Sequence, residues 1–337
     1  MFIFFLYFSC LLQLSRAIPT ARNTTKIASV DRLTLLSAQE LAELTPFAQF
    51  SRAAYCPIQL LKDWNCGEAC RELLDFEPTL VSGDGDQIQR YFVGYWSHQD
   101  TIVVGHEGTD PSYLYPILTD IDILPVPLYE DIFPGVPPDV RVHQGFRNEH
   151  AQTAHSILAE VKRLIEKTGC RTVVATGHSL GGALAMLDSV FLTLHLPKNV
   201  NVIARVFGTP RVGNTKFALL VDSLVPDLKR VNNKRDLIPI IPLMHMGFSH
   251  PKGEIHIVSP ENAFYCPGDD NMIDAECTVK SVPLILGNIL DHVGLTVPVL
   301  LSDFDHITAR PIPWSNNGVL SVKNVNHNIQ NHRALQE

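Results

Sequence analysis

Gly177-His178-Ser179-Leu180-Gly181 has the form Gly-x-Ser-x-Gly, and it follows an apolar run at 172–176. Such a pentapeptide reads as a nucleophile elbow, a turn so tight that its glycines must allow close backbone approach while the serine is presented at the tip. A serine hydroxyl is a poor nucleophile until a histidine takes its proton, and that imidazole must be held in one tautomer by a carboxylate. The elbow therefore predicts an acid and then a histidine downstream. Asp236, within Asn233-Lys234-Arg235-Asp236-Leu237-Ile238-Pro239, closely follows a strand and opens a proline-punctuated loop, which is where parallel α/β sheets place their sites. Downstream histidines are His245, His250, His256, His292, His306, His327 and His332. Asp291-His292 comes late enough to return to the sheet edge, and Asp305-His306 rivals it on local chemistry. The oxyanion formed on attack needs two preorganised N–H donors. Elbow geometry supplies one from Leu180, and the turn Gly108-Thr109, at the end of a strand, is a source of the other. Taken singly, each of these groups has a plainer structural reading: a serine turn, a loop-capping carboxylate, a core or surface histidine.

The elements that would position them follow from periodicity. A capping box, Ser37 to Glu40, starts an amphipathic helix with Leu41, Leu44 and Phe47, which Pro46 can kink. Runs at 89–95 and 101–105 read as a hairpin of two strands. Ala154, Ile157, Leu158, Val161, Leu164 and Ile165 predict a helix over 150–168, capped by Gly169. Then come the strand and elbow, a helix to about residue 196, a strand at 202–208, a helix at 216–224 and a strand at 228–232. Strands alternating with helices imply a mainly parallel sheet with helices on both faces. Between them, 111–138 is long, rich in proline and dense in apolar residues, as a lid loop would be.

With 337 residues, 45% of them hydrophobic, the chain can bury one large core or two modest ones. A net charge of −8 without a basic block argues against a nucleic-acid partner. The first residues are apolar over a length too short to span a bilayer comfortably, and end at Ser15-Arg16-Ala17, so a secretory signal peptide over 1–17 is expected. A mobile arm at 18–30 carries the glycosylation sequon at Asn23. Once Cys10 leaves with the signal, Cys56, Cys66, Cys70, Cys170, Cys266 and Cys277 remain, an even number that suggests disulfides in a secreted protein. Cys66 with Cys70 and Cys266 with Cys277 are local pairs closing short loops. No Cys/His quartet of structural-zinc form accompanies them, so no metal is expected.

Several separate motifs, in order, resemble the fungal class 3 (filamentous-fungus) lipases, α/β-hydrolases that include triacylglycerol lipases and feruloyl esterases. They are Gly108-Thr109, Val142-His143-Gln144-Gly145-Phe146, Gly-His-Ser-Leu-Gly-Gly at the elbow, Gly208-Thr209-Pro210-Arg211-Val212-Gly213-Asn214, the Asp236 segment and Asp291-His292. The similarity runs over about 50–297. It implies an α/β-hydrolase domain over 31–300, with Ser179 as nucleophile, Asp236 orienting, His292 as general base and acid in preference to His306, and Thr109 and Leu180 forming the oxyanion hole. It makes 110–124 a hydrophobic lid, including Tyr113, Leu114, Ile117, Leu118 and Ile121. It also favours the clips Cys66/Cys70 and Cys266/Cys277.

Two departures stand out. His106-Glu107 replaces the family's Phe-Arg before Gly-Thr, so the surroundings of the oxyanion hole are altered while the turn is kept. The chain also continues past the catalytic histidine as an Asn/His-rich extension, 301–337, without the cysteine that would tie to Cys56; a Cys56–Cys170 bond is a substitute. The expected protein is a secreted, extracellular, monomeric ester hydrolase without cofactor, acting on acylglycerols or other esters at a transient lipid–water interface. Alternatives are a feruloyl or short-chain esterase and, in another class, a non-catalytic lipid-binding protein.

Overall fold

Val173 and Ala175 turn to one side of their strand and Val174 to the other, and all three are buried, so this strand is covered on both faces. Its neighbours repeat the alternation: Ile102 and Val104 against Val103, then Val202, Ala204 and Val206 against Ile203 and Phe207. Period-two side chains with no polar face require helices above and below. The computed structural model describes residues 32–109, 124–260, 262–282 and 287–293. The signal peptide, the arm with Asn23, the lid residues Tyr113, Leu114, Ile117, Leu118 and Ile121, and the extension with His306 lie outside the described residues.

In chain order the first elements are β1 (Thr34–Leu35), α1 (Ala38–Ala42), α2 (Thr45–Ala53), α3 (Ile58–Lys62), α4 (Glu68–Arg71), β2 (Phe76–Ser82), β3 (Tyr91–Trp96) and β4 (Thr101–His106). The middle of the chain supplies β5 (Pro125–Pro127), β6 (Arg141–His143), α5 (Gln144–Thr168), β7 (Thr172–His178), α6 (Leu180–His195), β8 (Asn201–Phe207), α7 (Thr215–Leu224) and β9 (Leu228–Asn233). It closes with β10 (Glu254–Ser259), β11 (Asn262–Cys266), α8 (Thr278–Ser281) and α9 (Ile289–Val293). Among the described residues, nine strands form one sheet in the order β1-β11-β10-β9-β8-β7-β4-β3-β2. The run from β4 through β7, β8 and β9 to β10 is parallel, and the outer pairs are antiparallel. This is the α/β-hydrolase fold, with α5, α6 and α7 on one face and α2 and α4 on the other.

The capping box at Ser37 forms, and the chain breaks once between α1 and α2, with Pro46 in the first turn of the second helix, where its missing N–H costs no helical bond. The hairpin at 91–106 forms as read. Helix α5 starts six residues before the periodic pattern does, because the side chain of His143 caps it: Nδ1 accepts from the amides of Gly145 at 3.1 Å and Phe146 at 3.4 Å.

The first cysteine clip is corrected. Cys66 is bonded to Cys56, with Cα atoms 5.9 Å apart, and Cys70 is a free thiol, as is Cys170. Cys70 lies on α4 with its side chain packed into the aromatic core beside Ala69, Leu73 and Phe76, and burial pushes its thiol up to about 11. Cys170 is turned to the carbonyls of Asp100 and Thr172, at 3.0 and 3.2 Å, so a Cys56–Cys170 bond is absent as well. Cys266 is joined to Cys277.

The His143 cap makes a pH prediction. Burial holds its pKa down at about 4, against 6.5 when free, and the cap uses the unprotonated Nδ1. A depressed folded pKa means stability that is complete above 6.5 and is lost as pH falls toward 4, by roughly 1–3 kcal/mol. His143→Asn keeps a capping acceptor but does not titrate. Its unfolding midpoint is expected to fall less between pH 7.5 and 4.5 than that of the parent; equal falls would remove His143 from the acid response.

Candidate active site

Strand β7 ends at the elbow, and Ser179 has φ 61° and ψ −128°, a conformation that non-glycine residues hold only when their surroundings enforce it. A Cβ at Gly177 would lie 2.3 Å from the carbonyl group of Gly181, so the turn closes only with glycine there. The Ser179 amide donates to the carbonyl of Phe207 at 2.9 Å, pinning the elbow to the end of β8.

The next residue, Gly208, has φ +53°, and a Cβ on it would lie 2.9 Å from both Asp236 Oδ2 and His292 Nδ1. Those two atoms are themselves 2.8 Å apart in a fully buried hydrogen bond. Asp236 Oδ1 accepts from the Ile238 amide at 2.8 Å, which fixes the carboxylate after β9. His292 is carried by α9, and the loop at Asp236 grips that helix: Asn233 Nδ2 donates to the carbonyl of Asp291 at 2.9 Å, and the Arg235 amide donates to its carboxylate at 3.2 Å. Of the two Asp-His pairs, the one at 291–292 therefore stands at the acid.

With Nδ1 donating to Asp236, Nε2 of His292 is left as a base, and it and Ser179 Oγ are both buried without a hydrogen-bond partner among the described residues. Two orphaned groups of complementary chemistry, a hydroxyl and an imidazole nitrogen, are what a substrate carbonyl requires for attack and proton transfer.

The proposed donors lie on adjoining elements. Leu180 begins α6, where no earlier helical carbonyl takes its amide. The backbone of Gly108 passes so close to the elbow that a Cβ there would lie 2.4 Å from the carbonyl of His178 and 3.0 Å from Cβ of Ser179. Thr109 follows it, with Oγ1 accepting from Gln89 Nε2 at 3.4 Å. Glu107, just before, is buried against Arg90; burial pushes its carboxyl up to about 7 while Arg90 pulls the other way.

Several residues at the site have no motif of their own. His178, the variable position of the elbow, donates from Nε2 to the backbone carbonyl of His292 at 3.0 Å, and its Nδ1 accepts from the Tyr55 hydroxyl at 2.8 Å. Burial, and next the neighbouring His292, hold its pKa well below 6.5, so it is the neutral tautomer that these partners select. Gly208 belonged to a recognised segment, but only the structure shows that it lies against the acid–histidine bond. The group of potential metal ligands at Glu254, Cys266 and Cys277 has its two sulfurs joined to each other, leaving no thiolate for a metal.

The Lipase (class 3) family profile matches residues 103–246. A secreted mono- and diacylglycerol lipase of Malassezia globosa is 31% identical over 230 residues, covering 66% of this chain and 74% of that protein. The triacylglyceride lipase of Rhizomucor miehei superposes with a TM-score of 0.67 at 27% identity, over 78% of this chain and 96% of the other. A triacylglycerol lipase whose catalytic centre is described as a serine-protease triad superposes with a TM-score of 0.65 at 25% identity, over the same 78% and 96%.

Proposed function

The chain belongs to the class 3 lipase family, and from that premise we propose that it is a secreted serine hydrolase of acylglycerol esters, working as a monomer at a lipid–water interface without a cofactor. The observation that carries the reading is the buried Asp236–His292 pair beside a strained Ser179, with the hydroxyl and Nε2 both unpartnered among the described residues. Ser179 Oγ attacks the ester carbonyl carbon while His292 Nε2 takes its proton, and Asp236 stabilises the imidazolium. The amides of Thr109 and Leu180 receive the oxyanion. Collapse breaks the bond to the alcohol, which leaves with the proton from His292, and the acyl group stays on Ser179. Water, deprotonated by His292, then releases the fatty acid and restores the serine.

The apolar segment with Tyr113, Leu114, Ile117, Leu118 and Ile121 supports a lipid preference, since a cover of that composition gains by meeting an oil surface. The Malassezia globosa relative is named for mono- and diacylglycerols and the Rhizomucor miehei protein for triacylglycerides. Rates on emulsified tri-, di- and monoacylglycerols, and on dissolved short-chain and feruloyl esters, test the reading, together with labelling by a serine-directed phosphonate. The expected result is labelling at Ser179 and a rise in rate once an acylglycerol exceeds its solubility. Turnover of dissolved esters with no such rise would make the protein an esterase, and neither labelling nor turnover would leave a lipid-binding protein.

A further inference from the structure

Helix α6 is buried on nearly all sides from Gly181 to Leu192, yet it carries a carboxylate, Asp188, in its middle. Asp188 is fully buried, and both its oxygens are taken by imidazoles: Oδ2 lies 2.6 Å from Nε2 of His106, and Oδ1 lies 2.9 Å from Nε2 of His150. Burial opposes its ionisation, but the hydrogen bonds and the electrostatic attraction of the two imidazoles together outweigh it and bring its pKa down to about 2. The carboxylate is therefore charged, and each imidazole donates Nε2–H to it. Both rings are wedged in place: His106 stacks on Tyr91 with centroids 6.1 Å apart, and His150 sits between Phe133 and Phe191 at 5.4 and 5.5 Å. A buried charge held this way is an expensive means of filling space, since apolar residues of similar volume commonly give equal or greater stability. A positional task would account for it.

The connectivity supplies that task. His106 is the last residue of β4 and leads through Glu107 and Gly108 to Thr109; Asp188 lies on the helix that begins with Leu180. The two elements already touch there, since a Cβ on Gly181 would lie 2.4 Å from the carbonyl of His106 and 2.7 Å from that of Glu107. The His106–Asp188 bond thus joins the two elements that bear the oxyanion donors, and His150, from α5, keeps the carboxylate from turning away. We propose that Asp188, braced by His106 and His150, is a positioning residue for the oxyanion hole, fixing the spacing of the Thr109 and Leu180 amides. The proposal rests on the ester-hydrolase reading above. Charged groups near the brace are Glu107 with Arg90, and Glu149 on α5, whose carboxyl burial raises.

The test uses Asp188→Asn, with kcat and KM on a dissolved short-chain ester, the rate of phosphonate trapping at Ser179 and the unfolding midpoint, all per mole of folded protein and well below that midpoint. Asparagine keeps the shape but presents an N–H to one of the two imidazole donors. Removing an oxyanion donor outright costs roughly 10²–10³ in kcat, so a displaced donor is expected to cost about 10–100-fold, with KM within about twofold and trapping slowed in parallel. A lower midpoint with kcat and trapping kept within about twofold would make Asp188 a stabilising residue only and overturn the proposal. The triple variant His106→Phe, His150→Leu, Asp188→Leu replaces the brace by apolar packing and is expected to fold without it. It should also lose kcat; a folded triple variant with parental kcat would overturn the proposal even if Asp188→Asn does not fold. Failure of the parent protein itself to trap phosphonate at Ser179 would instead sink the ester-hydrolase reading, and the brace with it.

Discussion

Ser179→Ala is expected to lower kcat on any ester by about 10⁶-fold and Asp236→Asn by about 10⁴-fold, with the double variant no worse than Ser179→Ala alone. The serine change removes the nucleophile. The asparagine change acts through a tautomer. In the parent, Asp236 Oδ2 can only accept, so at 2.8 Å it selects the His292 form with hydrogen on Nδ1 and a free pair on Nε2. Asparagine would keep its oxygen on the Ile238 amide, where Oδ1 now accepts at 2.8 Å, and turn its NH₂ toward His292. That selects the opposite tautomer, with hydrogen on Nε2, which cannot take the serine proton. Because the shape is nearly unchanged, the unfolding midpoint should move little, and a 10⁴-fold loss corresponds to about 5.5 kcal/mol of transition-state stabilisation. Steady-state rates on a dissolved ester, normalised to folded protein, check both. An Asp236→Asn enzyme within about tenfold of the parent would mean that another group orients His292.

What could be read from the chain divides along a physical line. The elbow turn and the meeting of Asp236 with His292 are legible because the chemistry proposed for them restricts residue type and order, and because a tight turn needs glycine at set positions. The parallel sheet was legible because strands covered on both faces leave continuous apolar runs. Contacts across the fold were not. Tyr55 and His178 meet over 123 residues and His106 and Asp188 over 82, and nothing local to either end states the partner. One signal is present nonetheless: Asp188 is a lone charge in a helix that is otherwise apolar but for Ser189 from Ala183 to Leu192, which a helix buried all round tolerates only with partners. The start of α5 is not legible for a related reason, since a histidine is not among the usual capping residues. Neither short spacing along the chain nor the family resemblance places Cys66 and Cys70 together. Cys70 instead faces the aromatic core, and the chain leaving α2 brings Cys56 to Cys66.

Arg211→Ala is expected to destabilise the protein by about 3–5 kcal/mol, the cost of leaving a buried partner charge uncompensated. Arg211 is 2% exposed. Its Nε and Nη2 donate to Asp270 Oδ1 at 2.9 and 2.7 Å, and Nη1 donates to the carbonyls of Ile240 and, at 3.0 Å, Pro242. Burial raises the Asp270 carboxyl, but His250 and Arg211 more than offset this and hold it below the usual carboxylate range. Without the guanidinium, Asp270 keeps as hydrogen-bond donors among the described residues only the Ser249 hydroxyl and the His250 amide, with Arg230 as a further attraction, and two loop carbonyls lose their donor. At roughly 2–4 °C per kcal/mol for a domain of this size, the midpoint should drop by about 10 °C. The loss should reach the active site too. Arg211 lies three residues after Gly208, which packs on the Asp236–His292 bond, and the carbonyls it holds belong to the loop that leaves Asp236. Below its new midpoint the variant should therefore also be slower per folded molecule. Arg211→Met with Asp270→Leu separates the two effects, because an apolar pair removes the buried charge and should recover much of the midpoint while leaving the loop carbonyls unheld. Thermal unfolding with rates on a dissolved ester reads both. A single variant within about 2 °C of the parent would show that water reaches Asp270 and that the buried pair does not hold this loop.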